Sequence, residues 1–403
     1  MVELKDFRGL EKRLTVDTSE DQPVYLLAGK NESYIRLSPS AYQLLRLCSS
    51  GVSFEAIAEK LSLQTDQDAS PDDVEAAYQH VVERIEKIEE NAGRHRAGFL
   101  IRFSLLPKKF VARIASCLSI AFQPVVASCL LTGVITSIAI ALRQNTPLDL
   151  TPQNFWLGYA LLLASTLMHE FGHASACARY GVQPSNIGFT IYFIYPTFYS
   201  DVSAAWELGR WQRVVVDLGG AFFQLVVGAG YAIAYTLSDW EPFKIALLMI
   251  FGNLVFSLNP IFRFDGYWVV ADTLGVTNLG QQPRRILGHL LARLRGQPTK
   301  PLPWSMPVKI VLLPYTILSF GFWGFFIWKI VPLMWQHILT YPSLVIALIN
   351  DLLDPSCAVA MGRFQSLLMS TYMVVIALLM VWRLGSPLFL AAKSKILKSS
   401  RKE

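Results

Sequence analysis

The chain has 403 residues, of which 53% are hydrophobic and only 16% are charged, and its mean hydropathy is +0.37. These values exclude an ordinary soluble protein, and the apolar residues come in blocks that favour one small soluble domain joined to a larger membrane domain. The net charge of +6 indicates no nucleic-acid-binding surface, and five scattered cysteines without a CxxC pair argue against a disulfide framework.

Residues 1–92 have the composition of a soluble domain. The stretch "VYLLAGKNESYIRLS" predicts a hairpin, because two β-prone runs flank a turn. Three helices should follow, two of them beginning at Ser38-Pro39 and Ser70-Pro71, where serine can cap a helix and proline suits its first position. The third helix has one apolar stripe, formed by Val74, Tyr78, Val81, Ile85 and Ile88. We predict a small winged-helix-like α+β domain, which can equally be a structural cap on the membrane domain.

Residues 93–121 are predicted to be a basic juxtamembrane linker. They contain six cationic side chains: Arg94, Arg96, Arg102, Lys108, Lys109 and Arg113. Such clusters collect at the cytoplasmic surface of a lipid bilayer, beside a membrane span.

Six apolar spans are predicted after the linker: Phe122–Leu142, Phe155–Ala176, Val214–Leu237, Phe243–Leu258, Ile310–Val331 and Phe364–Trp382. Most reach the ~20 residues that a bilayer requires. The fourth is short and runs into "NPIFRFDG", which is compatible with broken backbone buried in protein. The chain is therefore predicted to be mainly α, with a polytopic membrane domain over residues 122–390.

The distribution of Lys and Arg predicts the orientation. The loop after the fourth span and a basic tail over residues 391–403 contain most of the cations: Arg263, Arg284, Arg285, Arg293, Arg295 and Lys300, then Lys393, Lys395, Lys398, Arg401 and Lys402. The opposite loops, "RQNTPLDLTPQN" and "SDWEP", share one arginine. The positive-inside rule then places both termini in the cytoplasm, and we expect an integral protein of a bacterial plasma membrane.

The segment Asn186–Trp206 does not fit a span. It is aromatic and β-branched, and Pro196 interrupts it. We predict a membrane-associated β hairpin or sheet that borders the helices, because irregular or extended backbone at this depth must be buried against protein.

The motif "HEFGH" places His169 and His173 four residues apart, on one face of a helix. This spacing lets both imidazoles reach one Zn²⁺, while Glu170 faces the bound water as a general base. His169 lies 14 residues after Phe155, or about 21 Å along a helix. A purely structural role is the alternative, but ionisable groups inside spans usually mark function.

A catalytic zinc needs a third protein ligand, and Asp265 is the best candidate. It follows a span that also ends on the cytoplasmic side, so its depth can match. Pro260 breaks the helix and Gly266 allows close approach of the backbone. The alternative is a solvated turn, since Asp-Gly is a common turn pair.

The stretches "HEFGHA", "DLGGAFFQ" and "NPIFRFDG" resemble the site-2 protease family of intramembrane zinc metalloproteases. Longer stretches, "HEFGHASACARYG", "YSDVSAAWEL" and "NPIFRFDGYWVVADTLGVTNL", resemble its peptide zinc metalloprotease branch. The resemblance covers about residues 100–390. It implies that His169, His173 and Asp265 bind Zn²⁺ and that Glu170 is the base.

This chain departs from the family pattern before Asp-Gly. The family has a second proline and a leucine there, whereas Phe262, Arg263 and Phe264 occupy these positions. How a substrate strand is held is therefore left open, and Asn259 is a candidate substrate contact. The N-terminal domain is similar to the PqqD-like fold, which implies a leader peptide bound along its strand edge.

The predicted function is an intramembrane zinc metalloprotease. Its expected substrate is a membrane-associated protein or a ribosomally made peptide, cut near the cytoplasmic face. The alternative is a non-hydrolytic membrane factor that binds a peptide for maturation or export, although binding alone needs no base such as Glu170. A di-iron desaturase would need more histidine clusters, and a secondary transporter does not require HExxH.

Overall fold

The computed structural model describes residues 14–17, 24–28, 34–65, 70–91, 99–144, 147–192, 195–276, 279–298, 302, 304–353 and 366–378. These residues are mostly helical, and they include two separate three-stranded antiparallel sheets. The chain divides into two compact units, residues 1–279 and residues 280–403. The predicted basic tail over residues 391–403 lies outside the described residues.

The N-terminal part contains the predicted hairpin and three helices. Its elements are β1 (Leu14–Asp17), β2 (Val24–Ala28), β3 (Tyr34–Leu37), α1 (Pro39–Ser49), α2 (Phe54–Thr65) and α3 (Pro71–Asn91). The sheet order is β1-β2-β3, so β1 adds a strand that the sequence pattern did not indicate. The winged-helix assignment and the domain boundary at residue 92 stay predictions.

Both predicted serine caps are confirmed. Ser38 Oγ accepts a hydrogen bond from the backbone N–H of Ala41 at 3.1 Å, and Ser70 Oγ accepts one from that of Asp73 at 3.1 Å. Each bond satisfies a donor that the first helical turn leaves without an intrahelical partner. The apolar stripe of α3 packs against the sheet and α1, with Ile85 in the core.

The described part of the predicted linker, residues 99–121, contains a strand and a helix that the sequence analysis did not predict. The structure contains β4 (Phe99–Leu106) and α4 (Lys108–Leu118), with Pro107 between them. β4 pairs with a strand more than 80 residues later, so that Phe103 lies opposite Phe189. The β-prone run "FLIRFSLL" was overlooked because its partner strand is remote in sequence.

The predicted hairpin in Asn186–Trp206 is confirmed. β5 (Ile187–Tyr192) and β6 (Tyr195–Ser200) pair antiparallel, with Ile187 opposite Ser200. A 3₁₀ turn (Ser203–Glu207) follows. The sheet order is β4-β5-β6, so β6 is an edge strand.

Five helices complete the first unit: α5 (Pro124–Arg143), α6 (Pro152–Arg179), α7 (Arg210–Ser238), α8 (Glu241–Ser257) and α9 (Asp265–Leu274). Within this unit α6 packs against α7 and α8, and α9 packs against α7. The second unit contains α10 (Gln282–Leu294), α11 (Met306–Leu353) and α12 (Ser366–Leu378).

Among the described residues, three helices are long and apolar enough to cross a membrane: α5, α7 and residues Met306–Asp351 of α11. The predicted spans Phe155–Ala176 and Phe243–Leu258 lie in α6 and α8, but α6 carries the polar motif and α8 has only 17 residues. Of the predicted span Phe364–Trp382, the described residues 366–378 are helical. Six spans therefore stay a prediction. The fifth predicted span lies within α11, and this helix continues past Val331 for 22 further residues with Pro332 and Pro342 inside it.

Two glycines let the backbones of α6 and α7 touch. A Cβ atom built on Gly172 would overlap the carbonyl group of Gly219, and a Cβ on Gly219 would lie 2.8 Å from the carbonyl oxygen of Gly172. Small residues permit this close helix packing, which is a common source of stability in membrane helix pairs. The contact sits within the HExxH turn, so it fixes where the motif lies against α7.

We expect Gly172→Ala to lower the stability of the protein by about 1–3 kcal/mol, because the added methyl group forces the two backbones apart. Gly133→Ala in α5 is the matched control, since its Cβ would meet nothing within 4 Å. The control should be neutral or slightly stabilising, as alanine is the better helix former. Thermal unfolding in detergent, followed by circular dichroism, measures both. An unchanged midpoint for Gly172→Ala would contradict the close contact.

Candidate metal centre

The two histidines lie on one face of α6. The helix begins after Thr151, whose side chain accepts a hydrogen bond from the N–H of Asn154, and ends before Gly181 at a φ of +81°. His169 and His173 are four residues apart, so about one helical turn separates them. Both are buried, at 8% and 5% exposure.

Asp265 is brought to the same place by a sharp turn after α8. It is the first residue of α9, and it follows the irregular stretch that contains Pro260. A Cβ on Gly266 would overlap the backbone of Leu258. The absence of a side chain at Gly266 therefore allows the close approach that the sequence predicted.

The structure brings His169, His173 and Asp265 together. His169 Nε2 lies 2.9 Å from Asp265 Oδ2, His173 Nε2 lies 3.5 Å from Asp265 Oδ1, and the two Nε2 atoms are 3.2 Å apart. Ligands of a tetrahedral zinc lie roughly 3.3 Å from one another, given bonds of about 2.0–2.1 Å. Within the described part of the chain, this is the one group of three or more such side chains that can hold a metal ion.

A glycine of α7, Gly220, lies directly beside the two imidazoles. A Cβ on Gly220 of α7 would overlap the Nε2 atoms of both His169 and His173. The absence of a side chain at Gly220 therefore lets both imidazoles lie directly against the backbone of α7. The two imidazoles and the carboxylate are a ligand set that fits a zinc ion.

Two further contacts orient the candidate ligands. His173 Nδ1 donates to the carbonyl oxygen of Val216 at 2.7 Å, which leaves the Nε2 lone pair free to bind a metal. Asp265 Oδ2 accepts a hydrogen bond from Ser257 Oγ at 2.8 Å. Supporting bonds of this kind normally hold metal ligands in place.

Glu170 is aligned by the β sheet. Ser200, the last residue of β6, donates its hydroxyl to Glu170 Oε2 at 2.6 Å. Glu170 is also close enough to His173 to interact with it electrostatically. The carboxylate therefore lies close to His173, with one of its oxygens held by Ser200.

An arginine clamp holds α9 against α7. Arg213 Nε donates to Asp272 Oδ1 at 2.9 Å, and the Arg213 guanidinium lies over the ring of Trp206 at 5.5 Å. Arg210 donates to the backbone carbonyl groups of Asp272 and Thr273. Because Asp265 begins α9, this clamp fixes the helix that presents the third candidate ligand.

The carboxyl group of Asp265 favours its ionised form. Burial raises its pKa, but the positive charge that the two imidazoles can carry lowers it more strongly, so the pKa lies below its ordinary value. Asp217 of α7 is buried close enough to interact electrostatically with His173 and Asp265. Its Oδ2 atom has no hydrogen-bond partner among the described residues.

Asn259 lies in the turn between α8 and α9. Its Oδ1 atom accepts a hydrogen bond from the backbone N–H of Ile261 at 3.0 Å, which stabilises the turn locally. A substrate contact by Asn259 stays a prediction.

The sequence analysis missed Ser200, Ser257 and Gly220. A single serine carries no signal, because its partner is set by the tertiary fold. Gly220 could have been predicted from the sequence, because Gly219 and Gly220 are adjacent glycines inside an apolar helix. Such a pair indicates that another part of the protein approaches the backbone closely.

Part of the chain is similar to a bacterial protein whose printed name describes a peptide zinc metalloprotease. Over 116 residues the chain is 24% identical to a Bacillus subtilis (strain 168) protein named "Putative peptide zinc metalloprotease protein YydH". The match covers 28% of this chain and 46% of that relative, so the aligned part spans less than half of either. No family model matches the chain, and no solved structure matches it. The similarity supports a distant relation to zinc metalloproteases.

We expect Gly220→Ala to lose most of its zinc, because the new methyl group would overlap both imidazole Nε2 atoms. Gly230→Ala is the matched control on the same helix, since its Cβ would meet nothing within 4 Å. Zinc per protein, measured by inductively coupled plasma mass spectrometry after gel filtration, should fall only in Gly220→Ala. Full zinc content in a folded Gly220→Ala variant would rule out the proposed position of the ion.

Proposed function

We propose that the chain is a zinc metalloendopeptidase that hydrolyses a peptide bond close to the cytoplasmic membrane surface. The observation that carries this proposal is the convergence of His169, His173 and Asp265, with Glu170 held beside them. The distant similarity to a protein named as a peptide zinc metalloprotease supports it. So do the three helices that are long and apolar enough to cross a membrane.

The residues divide into ligands and a base. His169, His173 and Asp265 would hold zinc, which when bound acts as a Lewis acid that polarises the scissile carbonyl and acidifies water. Glu170 accepts a proton from the attacking water and later delivers it to the leaving amine. Ser200 holds one oxygen of Glu170, so the carboxylate need not reorient during this transfer.

The edge strand β6 offers a place for the substrate. It lies at the border of its sheet and ends at Ser200, which contacts the base. An extended peptide added to β6 would run past Glu170 with its own carbonyl groups near the metal centre. We therefore propose that the substrate is a peptide or membrane protein bound in extended form.

A second peptide site is proposed on the N-terminal sheet. Its strands are short, and β1 and β3 form its two edges. A leader peptide can pair with such an edge, which would retain a ribosomally made substrate near the protease domain.

A non-hydrolytic peptide-binding factor is the competing function. It would use the same surfaces but would have no need of Glu170, and still less of a serine that fixes this carboxylate. Cleavage that depends on Glu170 separates the two functions.

We expect Glu170→Gln to bind zinc normally but to cleave peptide about 10²–10⁴-fold more slowly, which is the usual contribution of a general base. The amide keeps the shape of the side chain and removes its ability to accept the proton. Purified wild-type and variant proteins would be incubated with candidate peptides, and mass spectrometry would quantify the products.

Glu59→Gln is the matched control, because it makes the same change at an exposed position on α2. It should cleave like the wild type. Equal cleavage by a zinc-loaded Glu170→Gln protein would show that Glu170 is not the base. Failure of the wild type to cut any candidate, with full zinc, would favour the non-hydrolytic function for those peptides.

A further inference from the structure

One face of α4 is fixed to the catalytic part of the fold. Val111 and Ala115 are fully buried, and they pack in one cluster with Phe171 and Ala174 of α6. Phe171 lies inside the HExxH motif, and Ala174 directly follows it. The face of α4 that contains Val111 and Ala115 is therefore packed against α6, and the opposite face, here called the outer face, points away from α6.

The outer face of α4 combines cations with an apolar side chain. Lys109 and Arg113 are exposed on this face, and Lys108 is exposed at the N-terminal end of the helix. Among the described residues none of these three cations forms an ion pair. Phe110 is 48% exposed next to Lys109, and a large aromatic side chain exposed among cations is typical of an interaction surface.

The surrounding sequence is complementary to a negative partner. No Asp or Glu occurs between Asn91 and Leu148, a stretch that contains all of α4 and α5. The stability of α4 itself does not explain its lysines, because cations in the first turn oppose the helix dipole. The charge pattern therefore points to an anionic partner outside the protein.

The position of α4 identifies that partner. Only a short 3₁₀ turn (Ser119–Phe122) and Gln123 separate it from Pro124, where α5 begins. Since α5 is long and apolar enough to cross a membrane, α4 lies where the chain meets the bilayer surface. At that level cations meet lipid phosphate groups, while aromatic rings enter the boundary between headgroups and acyl chains.

We propose that the outer face of α4, together with its exposed N-terminal end, is a docking surface for the headgroups of anionic phospholipids. Lys108, Lys109 and Arg113 supply the electrostatic attraction, and Phe110 supplies the apolar contact. The occupant is the lipid of the bilayer that α5 enters. This surface is separate from the metal centre and needs neither zinc nor a peptide.

The test uses the full-length protein in phospholipid vesicles. Cys117 is exposed on α4 and can carry a fluorescent label, after Cys48, Cys129 and Cys357 are replaced by serine, while Cys177 is buried. Quenching of the label is compared between vesicles with nitroxide-labelled phosphatidylglycerol and vesicles with the same fraction of nitroxide-labelled phosphatidylcholine. The wild type should prefer phosphatidylglycerol, by roughly fivefold for each cation that engages, and added NaCl should weaken the preference.

Two triple variants make the test specific. Lys108→Gln with Lys109→Gln and Arg113→Gln should reduce the preference to about one. The control variant carries Arg46→Gln, Lys60→Gln and Arg84→Gln, which removes the same number of exposed charges from the N-terminal helices. This control should keep the preference for phosphatidylglycerol.

Equal quenching by both lipids in the wild type would overturn the proposal without reference to any variant. So would a preference that survives in the α4 triple variant, or one that disappears equally in the control. None of these readouts depends on peptide cleavage, so a failure here and a failure of the proposed function are distinguishable.

Discussion

The candidate metal centre depends on the cost of burying ionisable groups. His169, His173 and Asp265 lie within 3.5 Å of one another, and both histidines are buried. Removing such groups from water costs several kcal/mol each unless they are paired or bind a metal. A divalent cation shared by two imidazoles and a carboxylate satisfies all three at once. The hydrogen bonds from His173 to Val216 and from Ser257 to Asp265 hold two of these side chains in fixed orientations.

The neighbouring helices restrict the movement of each ligand. Contact between Gly172 and Gly219 sets the distance between α6 and α7, and Gly220 lets the imidazoles lie against the backbone of α7. Arg213 fixes α9 through Asp272, at the end opposite to Asp265. Pre-organisation of this kind would lower the cost of binding a metal ion. The β sheet takes part as well, because Ser200 connects its edge strand to Glu170.

The sequence predicted features that depend on local periodicity or on the chemistry of one residue. The i,i+4 histidines, the serine caps at Ser38 and Ser70, and the hairpin in Asn186–Trp206 all belong to this class. Asp265 could be proposed because two spans were expected to end at one depth. β4 was missed because its partner strand is remote in sequence, and Ser200 and Ser257 were missed because tertiary packing alone selects their partners.

X-ray absorption spectroscopy at the zinc edge of the zinc-loaded wild-type protein would measure the coordination of the metal. We expect two imidazole nitrogens and at least one oxygen at about 2.0–2.2 Å, with no sulfur neighbour. A sulfur at about 2.3 Å would contradict it, and would point to Cys177, which lies one helical turn beyond His173 and is buried. A spectrum without two imidazoles would contradict it equally.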